Sequence, residues 1–132
     1  MDKYKSLSVL IVDDVANMRS FLTSSLRSIE VQNVRDASSA KAGMLMYEEK
    51  RPDILFLDLD MPGISGMTAL RSLKQKDPSA FVVIVSGESQ VDNVKEALKL
   101  GAKGFVVKPY SMQKIMAMLD KALDAKQKRM KR

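Results

Sequence analysis

The chain has 132 residues, a net charge of +6 at pH 7, and neither cysteine nor histidine. This length suits one compact domain with a sizeable hydrophobic core. Disulfides, thiolate or imidazole metal sites and cysteine nucleophiles are excluded, so the chemistry must rest on carboxylates, hydroxyls and amines. No apolar run reaches membrane-spanning length and the amino terminus lacks an apolar signal core, so we expect a cytoplasmic protein without membrane insertion.

The positive charge is concentrated at the carboxyl terminus. Residues 126–132 (KQKRMKR) hold five Lys or Arg and no acid, and subtracting these five charges from +6 leaves +1 for residues 1–125. A basic run can bind polyanions, but a frayed, solvated helix end is the commoner explanation. We therefore expect a domain over residues 1–125 and a basic tail over residues 126–132, and we do not favour nucleic acid as a partner.

Four apolar runs predict buried parallel strands, which are apolar on both faces. In chain order they are SVLIV at 8–12, ILFL at 54–57, FVVIV at 81–85 and GFVV at 104–107. The half-polar segment VQNVRDA at 31–37 predicts a weaker strand at an edge of the sheet. The sequence therefore predicts five strands.

The segments after the strands have the spacing of amphipathic helices. One face of the first helix is expected to carry Met18, Phe21, Leu22, Leu26 and Ile29. Similar patterns follow the other strands, giving five strand–helix units. With right-handed crossovers, these units form a doubly wound α/β sheet.

Polar side chains follow the strands where each apolar run stops: Asp13-Asp14, Asp58, Ser86 and Lys108. The carboxyl ends of parallel strands share one edge, which is where such sheets bind ligands. Carboxylates about 4 Å apart repel by about 4 kcal/mol at an effective dielectric constant of 20, so three of them indicate a bound cation. Oxygen-only ligands select a hard ion, Mg²⁺ or its substitute Mn²⁺. Alternatively, Asp13-Asp14 caps the first helix, which explains one aspartate only.

The same residues can support phosphoryl transfer. An aspartate carboxylate such as that of Asp58 can attack phosphorus to form an acyl phosphate. The Ser86 hydroxyl and the Lys108 ammonium can each donate to a phosphoryl oxygen. Their joint placement at one edge of the sheet makes this interpretation stronger than any one residue does.

These motifs together resemble the response-regulator receiver domain, specifically the stand-alone CheY-like kind. The resemblance covers about residues 8–123 and rests on VDD, Asn17-Met18-Arg19, LDLDMPGISG, the SG after the fourth strand, and KPY. It implies a flavodoxin-like five-stranded parallel sheet in the order 2-1-3-4-5 with five helices. That strand order comes from the family and not from the hydrophobic pattern.

The resemblance also assigns roles to individual residues. It implies that Asp58 is the phosphoacceptor, that Asp14 and Asp58 bind Mg²⁺ directly, that Asp13 acts partly through water, and that Asp60 contributes its backbone carbonyl. Ser86 and Lys108 would contact the phosphoryl group, and Lys108-Pro109 would match a peptide bond that is often cis in the family.

Three further positions are expected to tune the response. Phe105 occupies the aromatic switch position, where chemotaxis receivers have Tyr, so a hydroxyl that could bind a partner is missing. Asp60 and Glu88 lie two residues beyond Asp58 and Ser86, at positions that in this family border the path of the hydrolytic water. Their acidity is expected to alter the lifetime of the phosphorylated form.

The function implied by the resemblance is that of a phosphorylation-switched signalling protein and not a conventional enzyme. Its phosphoryl donor would be a histidine kinase or phosphotransfer protein, and it would catalyse its own phosphorylation and dephosphorylation. A monomer or weak dimer would bind an unidentified downstream protein through the surface of helix 4, strand 5 and helix 5.

Two alternatives remain open at this point. The first is a phosphatase, because Asp58-Leu59-Asp60 resembles the D-x-D of haloacid-dehalogenase-type enzymes, although that family places its motif near the amino terminus. The second is a polyanion binder that acts through residues 126–132.

Overall fold

Five strands and five α-helices alternate within residues 2–61, 65–87 and 91–131, which the computed structural model describes. A 3₁₀ turn at Asp2–Tyr4 precedes them. The strands are β1 (Ser8–Val12), β2 (Asn33–Ala37), β3 (Ile54–Asp58), β4 (Val82–Ser86) and β5 (Gly104–Val107). The helices are α1 (Ala16–Ser28), α2 (Ala40–Glu49), α3 (Gly66–Lys76), α4 (Val91–Lys99) and α5 (Met112–Met130).

All strand pairs are parallel, and the order in the sheet is β2-β1-β3-β4-β5. This confirms the predicted doubly wound fold and the edge position of the half-polar second strand. The register aligns Val12 of β1 with Ala37 of β2 and with Leu57 of β3. The segments that follow β1 and β3 therefore start side by side at the carboxyl edge.

The sheet separates two hydrophobic layers. Alternate residues of β1 face opposite sides: Val9 and Ile11 pack with α1 and α5, whereas Leu10 and Val12 pack with α2, α3 and α4. Burial on both faces explains why the strands are continuous apolar runs without polar alternation.

The predicted face of α1 is partly wrong. Leu22 and Leu26 are fully buried, but Phe21 is 51% exposed. Its ring stacks on Tyr110, with the ring centroids 6.0 Å apart and the planes inclined by 15°. Phe21 precedes Leu22 directly, at the margin of the apolar stripe, so its ring reaches the segment after β5 and not the core.

Helix α5 continues without a break to Met130, so residue 125 does not mark the end of an element. Lys126 Nζ donates to Asp53 Oδ2 at 2.9 Å and to the Ser6 carbonyl at 2.6 Å. Arg129 Nη2 lies 3.5 Å from Asp53 Oδ1. The expected frayed, solvated end is thus, up to Met130, a helix with two cations bound to the body of the protein.

None of the helices in the described part of the chain combines the length and apolar character needed to cross a membrane.

Candidate functional site

The fold brings the predicted polar residues to one edge of the sheet. Asp13 directly follows β1, Asp58 ends β3, Ser86 ends β4, and Lys108 directly follows β5. Ser86 pairs with Val107 in the register of β4 and β5, and the Lys108 amide donates to the Ser86 carbonyl at 2.9 Å. The neighbouring strands therefore fix the spacing of these side chains across the edge.

Three carboxylates meet at this edge. One oxygen each from Asp13, Asp14 and Asp58 lies within 4.8 Å of the other two. Asp13 and Asp58 are each only 1% exposed, whereas Asp14 is exposed to solvent. The cluster is thus buried on one side and open on the other, as a site that admits an ion and a phosphoryl group requires.

Lys108 is the cation of the cluster. Its Nζ lies 3.1 Å from Asp13 Oδ2 and 3.2 Å from Asp58 Oδ2. Burial lowers the pKa of Lys108, but the charges of Asp58 and Asp13 outweigh burial, and the net shift is upward. The ammonium therefore stays charged at neutral pH.

Burial raises the pKa of Asp58, and the neighbouring charge of Asp13 adds to this effect. The Asp60 amide, which donates to Asp58 Oδ1 at 2.9 Å, and the Lys108 ammonium oppose it without cancelling it. The ionised carboxylate of Asp58 is thus less well stabilised in the fold than in water. A further cation beside Asp58 would therefore stabilise the ionised form of its carboxylate.

Asp13 does not cap α1. The helix has Val15 as its N-cap, without a side-chain cap bond, and Asp13 Oδ1 accepts instead from the Val15 amide at 2.9 Å. Asp13 Oδ2 is buried and accepts no hydrogen bond from the described residues, although the charge of Lys108 lies nearby. A buried carboxylate oxygen that, among the described residues, is paired only with the Lys108 ammonium and lies beside two further carboxylates fits a hard divalent cation.

Gly66 allows α3 to begin against the end of β3. A Cβ atom at this position would lie 2.7 Å from Leu59 Cα and would collide with the main-chain oxygen of Asp58. The absence of a side chain therefore keeps the backbone beside Asp58 in place. Ser65 caps α3 by accepting from the Thr68 amide at 3.1 Å.

Ser86 and Phe105 border an apolar cavity of about 210 Å³ between β4, β5 and α4. Ser86 is 1% exposed, and Phe105 is half-buried with Lys114 Nζ 5.2 Å from its ring centroid. Phe105 therefore lies between this cavity and the surface of α5. The Lys108-Pro109 bond is cis, as the resemblance implied.

The Asp60 side chain is exposed, and its amide is the group that contacts Asp58. Glu88 lies outside the described residues. Arg19 was predicted only as part of a motif, yet its guanidinium binds the main-chain oxygen of Asp13 at 2.6 Å. A cation six residues beyond the paired acids was the available signal.

Residues 9–120 match the family model of the response regulator receiver domain. The chain belongs to this family. The chain is 37% identical over 116 residues to the chemotaxis protein CheY of Listeria monocytogenes, covering 88% of this chain and 98% of that protein. It is 34% identical to the chemotaxis protein CheY of Bacillus subtilis, covering 88% and 97%.

Solved structures agree with this assignment. A receiver domain protein from Clostridium thermocellum superposes with a TM-score of 0.85 at 29% identity, covering 92% of this chain and 97% of that one. Receiver domains are signalling proteins of two-component phosphorelays and not conventional enzymes; they take phosphoryl groups from histidine kinases and act on downstream targets. This receiver domain therefore has a place in phosphorelay signalling, and no observation favours the phosphatase alternative.

Proposed function

We propose that this receiver domain accepts a phosphoryl group on Asp58 in a Mg²⁺-dependent reaction. The observation that carries the proposal is the cluster of Asp13, Asp14 and Asp58 carboxylates within 4.8 Å around the Lys108 ammonium. The donor would be a histidine kinase or phosphotransfer protein, and small acyl phosphates would also serve. We place this exchange in the cytoplasm and expect a monomer or weak dimer, both from the family.

The transfer forms one bond and breaks another. A carboxylate oxygen of Asp58 attacks phosphorus while the bond from phosphorus to the donor's imidazole nitrogen breaks, and the nitrogen keeps the electron pair. Lys108 lies 3.2 Å from Asp58 Oδ2 and can follow the negative charge onto the phosphoryl oxygens. The Ser86 hydroxyl supplies a second donor at the end of the neighbouring strand.

Asp13, Asp14 and Asp58 would hold the divalent cation, with the Asp60 carbonyl as a further oxygen ligand. Bound Mg²⁺ would neutralise charge on the transferring phosphoryl oxygens, and Mn²⁺ would substitute. Asp13 Oδ2, which accepts no hydrogen bond from the described residues, supports its share in this set. The chain's own contribution is to keep two of these carboxylates buried and fixed before the ion arrives.

The test is the mass of the intact protein after incubation with acetyl phosphate and Mg²⁺. We expect a gain of one phosphoryl group in the wild type and none in Asp58→Asn. Asp124→Asn, which changes an exposed carboxylate on α5, is the matched control and should behave as the wild type does. Phosphorylation of Asp58→Asn, or full phosphorylation of the wild type after Mg²⁺ is chelated, would contradict the proposal.

We further propose that phosphorylation changes partner binding at the α4–β5–α5 surface. A phosphoryl group on Asp58 gives the Ser86 hydroxyl a new acceptor, and Phe105 can then enter the 210 Å³ cavity that both residues border. One or two hydrogen bonds and burial of the ring bias the two states by about 2–4 kcal/mol. That bias is roughly a 30-fold to 1000-fold change in population.

Binding of the downstream protein tests this route. Ser86→Ala should still be phosphorylated but should lose most of the phosphorylation-dependent gain in affinity, and Phe105→Ala should weaken the same gain. Because Phe105 has no hydroxyl, we expect no hydrogen bond from this side chain to the partner. Full gain in both variants would show that Phe105 is only a core residue.

We propose that the acidity at Asp60 and Glu88 sets the lifetime of the phosphorylated form. The exposed Asp60 side chain supports its access to a hydrolytic water. Asp60→Asn should therefore change the decay rate of phosphorylated protein while leaving the extent of phosphorylation similar. An unchanged decay rate in Asp60→Asn and Glu88→Gln would remove this role.

A further inference from the structure

The Arg19 guanidinium connects the ends of two neighbouring strands. Its Nη1 donates to the main-chain oxygen of Asp13, after β1, at 2.6 Å, and its Nε donates to Asp36 Oδ2, on β2, at 3.1 Å. The Arg19 side chain is only 17% exposed, whereas that of Asp36 is 50% exposed, so water screens the contact with Asp13 more weakly than the contact with Asp36. Hydrogen bonds from a charged donor are shorter and stronger than neutral ones. Arg19 is thus fixed at both ends of its guanidinium.

Arg19 completes a set of bonds that fixes Asp13. The Asp13 amide donates to the Ala37 carbonyl at 3.2 Å, and Oδ1 accepts from the Val15 amide at 2.9 Å. With the carbonyl bound to Arg19, every polar atom of Asp13 except Oδ2 has a hydrogen-bond partner in the described structure. The direction of the remaining oxygen is therefore set by the bonds of the other three atoms.

The same bond also restrains Asp14. The carbonyl of Asp13 and the amide and Cα of Asp14 belong to one planar peptide unit. Fixing the carbonyl consequently fixes the plane from which the Asp14 side chain starts. This restraint matters for Asp14 in particular, because its side chain is exposed to solvent.

We propose that Arg19, oriented by Asp36, is a positioning residue that presents Asp13 and Asp14 to the divalent cation. This inference rests on the proposed metal role of the two aspartates. Arg19 contacts a backbone atom of Asp13 and no carboxylate of the cluster, so it acts through the backbone. Groups that orient metal ligands from outside commonly change metal affinity by about 10-fold to 100-fold when they are removed.

The positioning role and a simple charge effect have opposite signs. Arg19 is a cation near a cation site, so its charge alone opposes Mg²⁺ binding, and its removal should tighten binding. If Arg19 instead holds the ligands in place, its removal should weaken binding. Arg19→Lys keeps the charge and loses the forked geometry that binds Asp13 and Asp36 together. It therefore separates geometry from charge and is the milder change to the fold.

The experiment measures the Kd for Mg²⁺ by calorimetry, and for Mn²⁺ by its electron spin resonance signal, on the unphosphorylated protein. We expect Kd to rise about 10-fold or more in Arg19→Ala and by a smaller factor in Arg19→Lys and Asp36→Asn. Arg27→Ala is the matched control, because Arg27 is an exposed arginine eight residues farther along α1, about 12 Å away. Its Kd should stay close to that of the wild type. The thermal midpoint of each variant without metal reports separately on folding.

Each outcome decides the inference. An unchanged or lower Kd in Arg19→Lys and Arg19→Ala would overturn the positioning role while leaving the metal site intact. An equal rise in Arg27→Ala would also overturn it, since the effect would then not depend on the contacts of Arg19. A lower thermal midpoint with an unchanged Kd would make Arg19 purely structural. If the wild type shows no saturable Mg²⁺ binding, the proposed metal role fails first, and this inference fails with it.

Discussion

The charges of the carboxylates at the two edges of the sheet are compensated in opposite ways. At the amino edge, before β3, Asp53 Oδ2 accepts from the Ser8 amide and from Lys126 Nζ, both at 2.9 Å, and Arg129 approaches Oδ1. The second carboxylate at this edge is that of Asp77. It accepts hydrogen bonds from the Tyr47 hydroxyl at 2.7 Å and from Ser79 Oγ at 3.0 Å, and it forms an ion pair with Arg51 Nε at 2.9 Å. Each of these acids has its own donors.

At the carboxyl edge, the carboxylates of Asp13 and Asp58 share the ammonium of Lys108, and an oxygen of Asp14 lies within 4.8 Å of both. The pKa values follow this difference. Burial would raise the pKa of Asp77, but its hydrogen bonds and the nearby Arg51 lower it, whereas burial raises the pKa of Asp58 and its donors do not offset this. At the amino edge the protein itself compensates the charge of Asp77, whereas at the carboxyl edge the pKa of Asp58 stays raised, as the proposed cation site requires.

The largest effect should come from removing the cations at the amino edge. Deletion of residues 126–132 removes both cations from the carboxylate of Asp53, whose side chain is 12% exposed and keeps its bonds to Ser8, so we expect the free energy of unfolding to fall by about 2 kcal/mol. Deletion of residues 130–132 keeps both cations and should cost little. Urea denaturation of the three proteins measures the difference.

A second background tests the cause of that loss. In Asp53→Asn, no buried charge is left behind, so the deletion of residues 126–132 should cost clearly less than it does in the wild type. Equal costs in both backgrounds would mean that packing of the last helical turn, and not charge, explains the effect.

The sequence predicted the fold and the carboxyl edge for a common reason. Apolar runs end where the chain leaves the sheet, so Asp58 and Ser86 were visible as the first polar residues after Leu57 and Val85. The Lys126–Asp53 pair had no such local signal, because the two residues lie 73 positions apart. A basic run has the same composition whether it is solvated or paired.

The bond between Arg19 and Asp36 was missed for the same reason. The motif placed Arg19 on the first helix, but its partner Asp36 lies on β2, 17 residues later. Phe21 was misplaced because hydrophobic spacing locates a stripe to within one residue, and its stacking on Tyr110 depends on the turn after β5. Contacts between residues of separate elements are therefore the part of the structure that sequence patterns do not predict.

A smaller effect is expected at the second acid of the amino edge. Tyr47→Phe removes the hydroxyl that donates to Asp77, and we expect a loss of about 1 kcal/mol at pH 7. Burial raises the pKa of Tyr47 to about 12, so the hydroxyl remains a donor at neutral pH. Tyr4→Phe is the control, because its hydroxyl binds Asp120, which is half-exposed and can bind water instead.

The pH dependence of Tyr47→Phe gives the sign of the interaction. The folded-state pKa of Asp77 lies below its usual value of 3.8, so its stabilising contribution is complete above that pH and is lost as pH falls through the folded-state pKa. The difference between wild type and Tyr47→Phe should therefore be constant near neutrality and shrink in acid. A difference that grows in acid would show that the hydroxyl does not favour the ionised carboxylate.

The smallest expected change is a gain in stability, in contrast to the losses above, and it concerns Asp58 at the carboxyl edge. Since the pKa of Asp58 is raised, its ionised form is less favourable in the folded than in the unfolded protein, and at pH 7 this lowers stability. Asp58→Asn keeps an oxygen that can accept from the Asp60 amide and removes the charge. Without divalent cations, we therefore expect this variant to be more stable than the wild type, by an amount on the order of 1 kcal/mol.

Mg²⁺ should reverse that order, because a ligand that binds only the folded state stabilises it, by about 2.7 kcal/mol at a concentration 100 times its Kd. The wild type should gain this stability, and Asp58→Asn, with one carboxylate fewer, should gain less. Thermal denaturation with and without Mg²⁺ measures both effects, and Asp124→Asn controls for charge at an exposed site. If Asp58→Asn is less stable than the wild type without Mg²⁺, Lys108 already compensates Asp58 as Lys126 compensates Asp53. The cluster at the carboxyl edge would then be structural, as Asp53 is at the amino edge, because an empty cation site with uncompensated carboxylates is expected to lower the stability of the fold.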